Sequence, residues 1–334
     1  MDFLADFRPT SIHPIPTTTI SVDPPGGTNT HHPGGGGGGG GHLPLPTDTF
    51  PTPDLHYLHS THTGQTALWI IFTLFTIGLV GVLFLTLRTE KRNRFFHGAS
   101  ALVLTIAMLS YLAMATGLGI SYIPIHNHGV KGSLHHFVRQ LYWARYVDWL
   151  FTTPLLLLSL ASLAGLSPAS TLAVILGDIF MIVTGLFSAI TPSRWASGER
   201  ATWAYFGISS FAFLLIWGIL FINGLKAANY RPRNTKGLFT LLAAMTFALW
   251  TAYPIVFGLS EGANKISVDA EIIAYGILDV AAKLGFTYLL LFLHSHEENG
   301  PWTLPDWWVE TPQGYGPDGR GTYGSLGSRG GDRD

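Results

Sequence analysis

Seven separate stretches of mostly apolar residues dominate the 334-residue chain. They lie near residues 67–87, 99–120, 136–160, 171–191, 203–223, 237–259 and 270–293. A helix needs about 20 apolar residues to cross the hydrocarbon core of a bilayer, which is close to the length of each stretch. Only 12% of the residues are charged, against roughly 25% in soluble domains. The sequence therefore predicts an all-α bundle of seven transmembrane helices.

The chain on either side of these stretches has a different composition. Residues 1–66 are rich in Pro, Thr, His and Gly, and the segment from 295 to 334 is dominated by Gly, Asp and Arg toward its end. Segments of this kind cannot bury enough apolar surface to fold. We therefore expect a disordered extracellular tail at 1–66, a seven-helix domain at 67–294 and a flexible cytoplasmic tail at 295–334.

Basic residues are distributed unevenly among the connections between the stretches. The connections after the first and fifth stretches are the most basic, with Arg88, Lys91, Arg92 and Arg94 in one and Lys226, Arg231, Arg233 and Lys236 in the other. Because cytoplasmic connections are enriched in Lys and Arg, the N-terminus is predicted to be extracellular and the C-terminus cytoplasmic. The uncharged connection at 165–170 is the weak point of this assignment. We expect a multi-pass protein of the plasma membrane.

A lysine, Lys283, lies in the middle of the last apolar stretch. Asp279 precedes it by one helical turn, so both side chains lie on one face, where the carboxylate offsets the cost of a buried cation. A charged side chain at membrane depth is expensive and is therefore expected to be functional. Lysine amines form Schiff bases with carbonyl compounds, and a buried protonated imine needs a nearby counter-ion.

The third stretch carries a second set of polar residues. Arg145, Asp148 and Thr152 follow each other at i, i+3 and i+7 and so share one stripe of a helix. The pattern predicts a buried cluster in which Asp148 and Asp279 flank Lys283, while Arg145 compensates the excess negative charge. The alternative is a purely structural network of salt bridges between helices.

Two motifs resemble a known family. RYVDWLFTTPLLLL in the third stretch and ILDVAAKLGF in the seventh resemble the signature stretches of microbial (type I) rhodopsins of the bacteriorhodopsin-like kind, and the long N-terminal extension resembles fungal opsins. The resemblance covers residues 67–294. It implies all-trans retinal bound to Lys283 as a protonated Schiff base, with Asp148 as the primary proton acceptor and Asp279 as the second counter-ion. It also implies that Arg145 moves toward the exit side.

The resemblance further implies a retinal pocket enclosed by large rings, which suit a flat polyene. Its expected residues are Tyr111, Trp149, Thr152, Thr153, Leu156, Asp178, Met181, Gly185, Trp250, Tyr253 and Pro254. Leu156 is similar to the residue of green-absorbing members. Thr153 and Asp178 resemble a pair that joins the third and fourth helices, and Asp178 is expected to keep its proton in apolar surroundings. Each aromatic residue could instead be ordinary packing, and Asp178 could serve a structural hydrogen bond.

Two glutamates near the outer end of the bundle, Glu261 and Glu271, resemble a proton-release pair. Two carboxyl groups at one site can hold a single proton between them and release it when Arg145 moves. Both residues lie near the predicted membrane surface, so the alternative is that each is simply solvated.

The chain departs from the family pattern at Ser159, two helical turns after Thr152. Efficient pumps carry Asp or Glu at this position, which returns a proton to the Schiff base, and a serine hydroxyl cannot do this at neutral pH. The cytoplasmic half of the seven stretches offers no other carboxylate. The sequence therefore predicts that protons enter from bulk solution through water, with a slow return to the dark state.

Three function classes follow from these residues. The first is a light-driven outward proton pump with a slow cycle, and the second is a photosensor that signals through a partner protein. The third is a seven-helix receptor or transporter without retinal. The resemblance also suggests a homo-oligomer in the lipid membrane.

Other activities find little support in the sequence. It contains no enzymatic motif, and a net charge of −1 gives no reason to expect nucleic acid as a partner. The absence of cysteine excludes thiolate metal sites. The tail histidines, such as His31 and His32, lack an ordered scaffold, so no metal site is predicted.

Overall fold

The computed structural model describes residues 55–91, 94–125, 136–193 and 196–294. The predicted N-terminal tail up to residue 54 and the predicted C-terminal tail lie outside the described residues.

Seven helical spans lie within the described ranges, and each is long and apolar enough to cross a bilayer. The first four spans are the α-helices His62–Arg88, Phe95–Ala115, Trp143–Ala164 and Pro168–Ile190. The prediction of a seven-helix membrane bundle is thus confirmed.

The last three spans each contain a π-helical turn. The fifth runs through Ala196–Ile219, the π turn Leu220–Gly224 and the short α-helix Leu225–Ala228. The sixth combines Arg233–Phe257 with the π turn Gly258–Gly262, and the seventh combines Val268–Asp279, the π turn Val280–Gly285 and Phe286–His294. Because π turns often occur at functional positions, the one that contains Lys283 is notable.

A small β-sheet adjoins the start of the third span, a feature that the all-α prediction does not include. Its strands are β1 (Leu55–Leu58), β2 (Ile120–Ile125) and β3 (His136–Tyr142), in the order β1-β3-β2. Strand β3 pairs parallel with β1 and antiparallel with β2. The predicted start of the third span at 136 is therefore wrong, because residues 136–142 bond to neighbouring strands and the helix begins at Trp143.

The first span begins at His62, five residues before the predicted start. Thr61 caps this helix, since its hydroxyl accepts a hydrogen bond from the backbone N–H of Thr63 at 3.2 Å. The backbone N–H and hydroxyl of Thr61 also donate to Asp269 of the seventh span, at 2.8 and 2.5 Å. These contacts join the N-terminal ends of the first and seventh spans.

The spans form a closed ring in which chain neighbours pack together and the seventh packs against the first and the sixth. Apolar side chains on the outside of the ring are largely exposed, as with Leu87 at 78% and Ile77 at 65%. Such a surface suits lipid. The inside contains the charged residues Arg145, Asp148 and Lys283, each no more than 1% exposed, so the polar chemistry of the chain is concentrated in the middle of the bundle.

Replacing Thr61 with alanine is expected to destabilise the fold by about 1–2 kcal/mol, because the helix cap and the hydroxyl bond to Asp269 are both lost. The midpoint of thermal denaturation of the purified protein measures the change. Thr66→Ala is the matched control, since the Thr66 hydroxyl donates only within its own helix, to the carbonyl of His62. Equal midpoints for the two variants would contradict the capping role.

Candidate functional site

The site is centred on the Nζ atom of Lys283, in the π turn of the seventh span. This atom forms ion pairs with Asp148 of the third span and with Asp279, the latter at 3.0 Å. All three residues are no more than 1% exposed. The sequence-based placement of one cation between two carboxylates thus agrees with the contacts, and each carboxylate reduces the cost of burying the ammonium group.

Asp279 is held by three further side chains. Tyr111 of the second span donates to its Oδ2 at 2.7 Å, and Tyr253 of the sixth donates to its Oδ1 at 2.8 Å. The indole N–H of Trp149 adds a third bond to Oδ1 at 3.1 Å. A carboxylate with this many donors is strongly stabilised as an anion.

Asp148 has fewer partners than Asp279. Its Oδ1 lacks a hydrogen-bond partner among the described residues, while its Oδ2 contacts Lys283. Thr152, predicted to share this stripe, donates its hydroxyl to the backbone carbonyl of Asp148 at 2.8 Å. Asp148 is therefore the carboxylate that can more easily accept a proton.

Among the described residues, Arg145 forms no ion pair with Asp148 or Asp279. Its guanidinium donates to Glu271 at 2.9 Å and lies 4.3 Å from the centre of the Tyr275 ring. The reason is a competing carboxylate, because Glu271 lies two turns before Asp279 on the same helix face and carries no exposed surface. Arg145 therefore forms its ion pair with a third buried carboxylate, that of Glu271.

A second arginine, Arg139 on strand β3, binds the same carboxylate. It donates to Glu271 at 2.8 Å and to the backbone carbonyl of Ile266 at 2.9 Å, and it is 4% exposed. Glu271 is thus held between Arg139 and Arg145. The two cations together offset the cost of burying this carboxylate.

Glu261 lies beside this arrangement and is only 9% exposed. It accepts a hydrogen bond from the Tyr275 hydroxyl at 3.2 Å, and its Oε1 has no partner in the described part of the chain. Both glutamates are thus buried, which contradicts the solvated alternative. No direct hydrogen bond between Glu261 and Glu271 occurs among the described residues, and the two contact different groups.

Nearby, Tyr142 of β3 accepts a hydrogen bond from the side chain of Gln140 and donates one to Ser60, both at 3.0 Å. Burial raises the pKa of Tyr142 above its usual value. These bonds, with that from the N–H of Ser60 to Gln140 at 2.8 Å, fasten the segment before the first span to β3. These hydrogen bonds therefore fix the position of strand β3 and of Arg139 within it.

A mostly apolar cavity is lined by residues of the third, fourth, fifth, sixth and seventh spans, and Lys283 is among them. Of the residues predicted for a retinal pocket, it is lined by Trp149, Thr153, Leu156, Met181, Gly185, Trp250, Tyr253 and Pro254. Tyr111, Thr152 and Asp178 do not line it. Tyr111 contacts Asp279, Thr152 bonds to its own helix, and Asp178 accepts a hydrogen bond from the Thr153 hydroxyl at 2.7 Å.

Several functional candidates were missed from the sequence. The cavity lining also contains Tyr146, Ile182, Phe206, Ser209, Ser210, Phe213, Phe257, Tyr275 and Ala282. Tyr275 could have been found, because Glu271, Tyr275, Asp279 and Lys283 repeat every four residues and so share one helix face. No comparable spacing pointed to Arg139, because the residues of strand β3 were predicted to be the start of the third helix.

Comparisons with known proteins agree with these observations. The family described as bacteriorhodopsin-like protein matches residues 62–296. Opsin-1 of Neurospora crassa is 36% identical over 228 residues, which cover 67% of this chain and 74% of that protein. Bacteriorhodopsin of Halobacterium salinarum is 38% identical over 198 residues, covering 59% of this chain and 70% of that protein.

Solved structures are similar as well. The crystal structure of the light-driven proton pump LR (Mac) from Leptosphaeria maculans has a TM-score of 0.67 and 38% identity, and covers 72% of this chain and 97% of that chain. The chain therefore belongs to the bacteriorhodopsin-like family of microbial (type I) rhodopsins, and its similarity to Opsin-1 places it with the fungal opsins.

Members of this family bind retinal, and the cavity fits such a group. It is mostly apolar and lined by aromatic rings, and its wall contains an amine, Lys283, that is flanked by two carboxylates. Gly185 leaves room in the wall, since an added Cβ would meet the Ser209 hydroxyl only at 3.5 Å.

Proposed function

We propose that this protein is a light-driven outward proton pump whose all-trans retinal is bound to Nζ of Lys283 as a protonated Schiff base. The observation that carries the proposal is the ion pair between Lys283 and Asp148, in which Oδ1 of Asp148 has no hydrogen-bond partner among the described residues. Retinal supplies light absorption and an isomerisation that changes the surroundings of the nitrogen. The likeness to a solved light-driven proton pump supports the same function.

The residues define the first proton step. Nζ of Lys283 gives its proton to Oδ2 of Asp148, the nearest acceptor that is not already saturated by donors. Asp279 stays ionised, because Tyr111, Tyr253 and Trp149 all donate to it. Because Asp279 already accepts these three hydrogen bonds, the proton from Nζ goes to Asp148.

Release of a proton to the outside involves a second group of charged residues, Arg145, Glu261 and Glu271. Arg145 binds Glu271 and packs on the ring of Tyr275, whose hydroxyl donates to Glu261. Protonation of Asp148 removes a negative charge on the inner side, so Arg145 is held more strongly by the outer glutamates. Added positive charge near Glu261 favours loss of its proton to the outer surface. Outward release requires an extracellular N-terminus, as the basic connections after the first and fifth spans favour.

Uptake from the cytoplasm is the slow part of the proposed cycle. Ser159 occupies the donor position, and its hydroxyl donates to the carbonyl of Leu155 in its own helix at 2.9 Å. It therefore offers no exchangeable carboxyl proton to Lys283. The same feature supports the second candidate, a photosensor whose long-lived state is the signal.

Light-driven changes in pH test the proposal. Cells that contain the retinal-reconstituted protein are illuminated in a lightly buffered suspension, with and without a protonophore. We expect external acidification that the protonophore abolishes. A normal visible band with a slow photocycle and no pH change would instead favour the photosensor.

Replacing Ser159 with aspartate is expected to speed recovery of the dark visible band by about 100-fold, because a carboxyl proton becomes available on the cytoplasmic side. Flash spectroscopy measures this rate. Ser159→Ala is the control and should recover at the wild-type rate, since the serine hydroxyl bonds only to Leu155. Recovery of the aspartate variant at the unchanged rate would show that protons reach Lys283 by a path remote from residue 159.

A further inference from the structure

Two buried threonines depart from the rule that most threonines in the spans follow. The hydroxyls of Thr73, Thr76, Thr86, Thr105, Thr184 and Thr251 donate to the carbonyl four residues earlier in the same helix. Thr246 and Thr287 do not, although their side chains are only 3% and 0% exposed. Their Oγ1 atoms have no hydrogen-bond partner among the residues that the structure describes.

The indole N–H of Trp217 is a third buried polar group that has no hydrogen-bond partner in the described ranges. Trp217 is 2% exposed, and its ring lies 6.3 Å from the ring of Trp250. Trp250 follows Thr246 by one helical turn. Buried polar groups that protein atoms do not satisfy are satisfied by ordered water, because leaving them without any partner is costly. The hydroxyl of Thr246 and the indole N–H of Trp217 are therefore both groups that ordered water can satisfy.

Both threonines lie on the cytoplasmic side of Lys283. Thr287 follows Lys283 by one turn in the seventh span, which runs toward the cytoplasm in the proposed orientation. Thr246 precedes Trp250 in the sixth span, which runs the opposite way, and Trp250 lines the same cavity as Lys283. Since the sixth and seventh spans pack together, the two hydroxyls occupy the layer between Lys283 and the cytoplasm.

Resting on the proposed function, we propose that Thr246 and Thr287 relay protons through bound water from the cytoplasm to Nζ of Lys283. Each hydroxyl passes its own proton inward and takes another from the water on its cytoplasmic side. One proton leaves the cytoplasm, one arrives at Nζ, and each hydroxyl ends as it began. The relay takes the place of a fixed carboxyl donor, which Ser159 does not provide.

The relay is tested by flash spectroscopy on the purified, retinal-reconstituted full chain. Thr287→Val and Thr246→Val remove the hydroxyl with little change in shape, and each is expected to slow recovery of the dark visible band about tenfold. Thr287→Ser should restore the wild-type rate. The matched control is Thr251→Val, because the Thr251 hydroxyl already bonds within its helix at 2.7 Å, and it should recover as the wild type does.

Chemical rescue separates a proton relay from a packing effect. Azide supplies a small diffusible acid, and it should return the two valine variants to near the wild-type recovery rate. Valine variants that recover as fast as the wild type, or slowed variants that azide does not accelerate, would overturn the relay. Recovery of the visible band can be measured whether or not protons cross the membrane. A protein that completes the photocycle without acidifying the medium would therefore contradict the proposed pump, while the relay could still be tested.

Discussion

Replacing Lys283 with alanine is expected to abolish the visible absorption band after addition of all-trans retinal. Nζ of Lys283 is the amine in the wall of the aromatic cavity, so its removal leaves no nitrogen there to bind the aldehyde. The variant also leaves Asp148 and Asp279 as buried carboxylates without a cation, which costs about 3–5 kcal/mol. Absorption spectroscopy of the purified protein measures the band.

Loss of folding could also remove the band, so a second variant is needed. Lys283→Arg keeps a cation between Asp148 and Asp279, whereas a guanidinium does not form the imine. We expect this variant to remain helical by circular dichroism and to lack the band. A retained visible band in either variant would contradict the assignment of Lys283 as the binding residue.

The second large effect is expected at Asp148. Replacing it with asparagine should reduce light-driven acidification to the background level, because the amide cannot accept the proton from Nζ. The visible band should persist, since Asp279 remains as a counter-ion at 3.0 Å from Nζ. The measurement is the external pH change under illumination, normalised to the amount of pigment.

Asp269→Asn is the matched control for the loss of one acidic side chain. Asp269 lies in the first turn of the seventh span, ten residues before Asp279, and its carboxylate accepts hydrogen bonds from Thr61. Its variant should acidify the medium as the wild type does. Full transport by Asp148→Asn would show that another group accepts the proton.

Much of the fold could be predicted because membrane spans are specified locally. Each span needs only a long apolar stretch, which can be recognised in the sequence. Because spans that follow each other in the chain pack side by side, their order in the chain predicts their order around the ring. The β-sheet was missed since strand β3 continues directly into the apolar third span, and hydropathy does not distinguish the two. The helix start at His62 was missed for a related reason, because its signal is the cap at Thr61 and the contact with Asp269, which is distant in sequence.

In the site, as in the fold, contacts between residues close in sequence could be predicted, whereas contacts between distant residues could not. Lys283 and Asp279 are neighbours on one helix, so their ion pair could be predicted from spacing. The partner of Arg145 depends on which of several carboxylates from other helices comes nearest, so its ion pair with Glu271 could not be predicted from spacing. Arg139 could not be predicted, because its role depends on strand pairing that places it against Glu271.

A measurement of photocurrent tests the central claim most directly. Membranes that contain the retinal-reconstituted protein are illuminated at zero voltage with equal pH on both sides and with protons as the only permeant ion. A pump predicts a steady outward current for as long as the light is on, since the proton path is driven by the cycle rather than by a gradient. A brief transient that decays to zero during illumination would contradict the proposal that this chain transports protons.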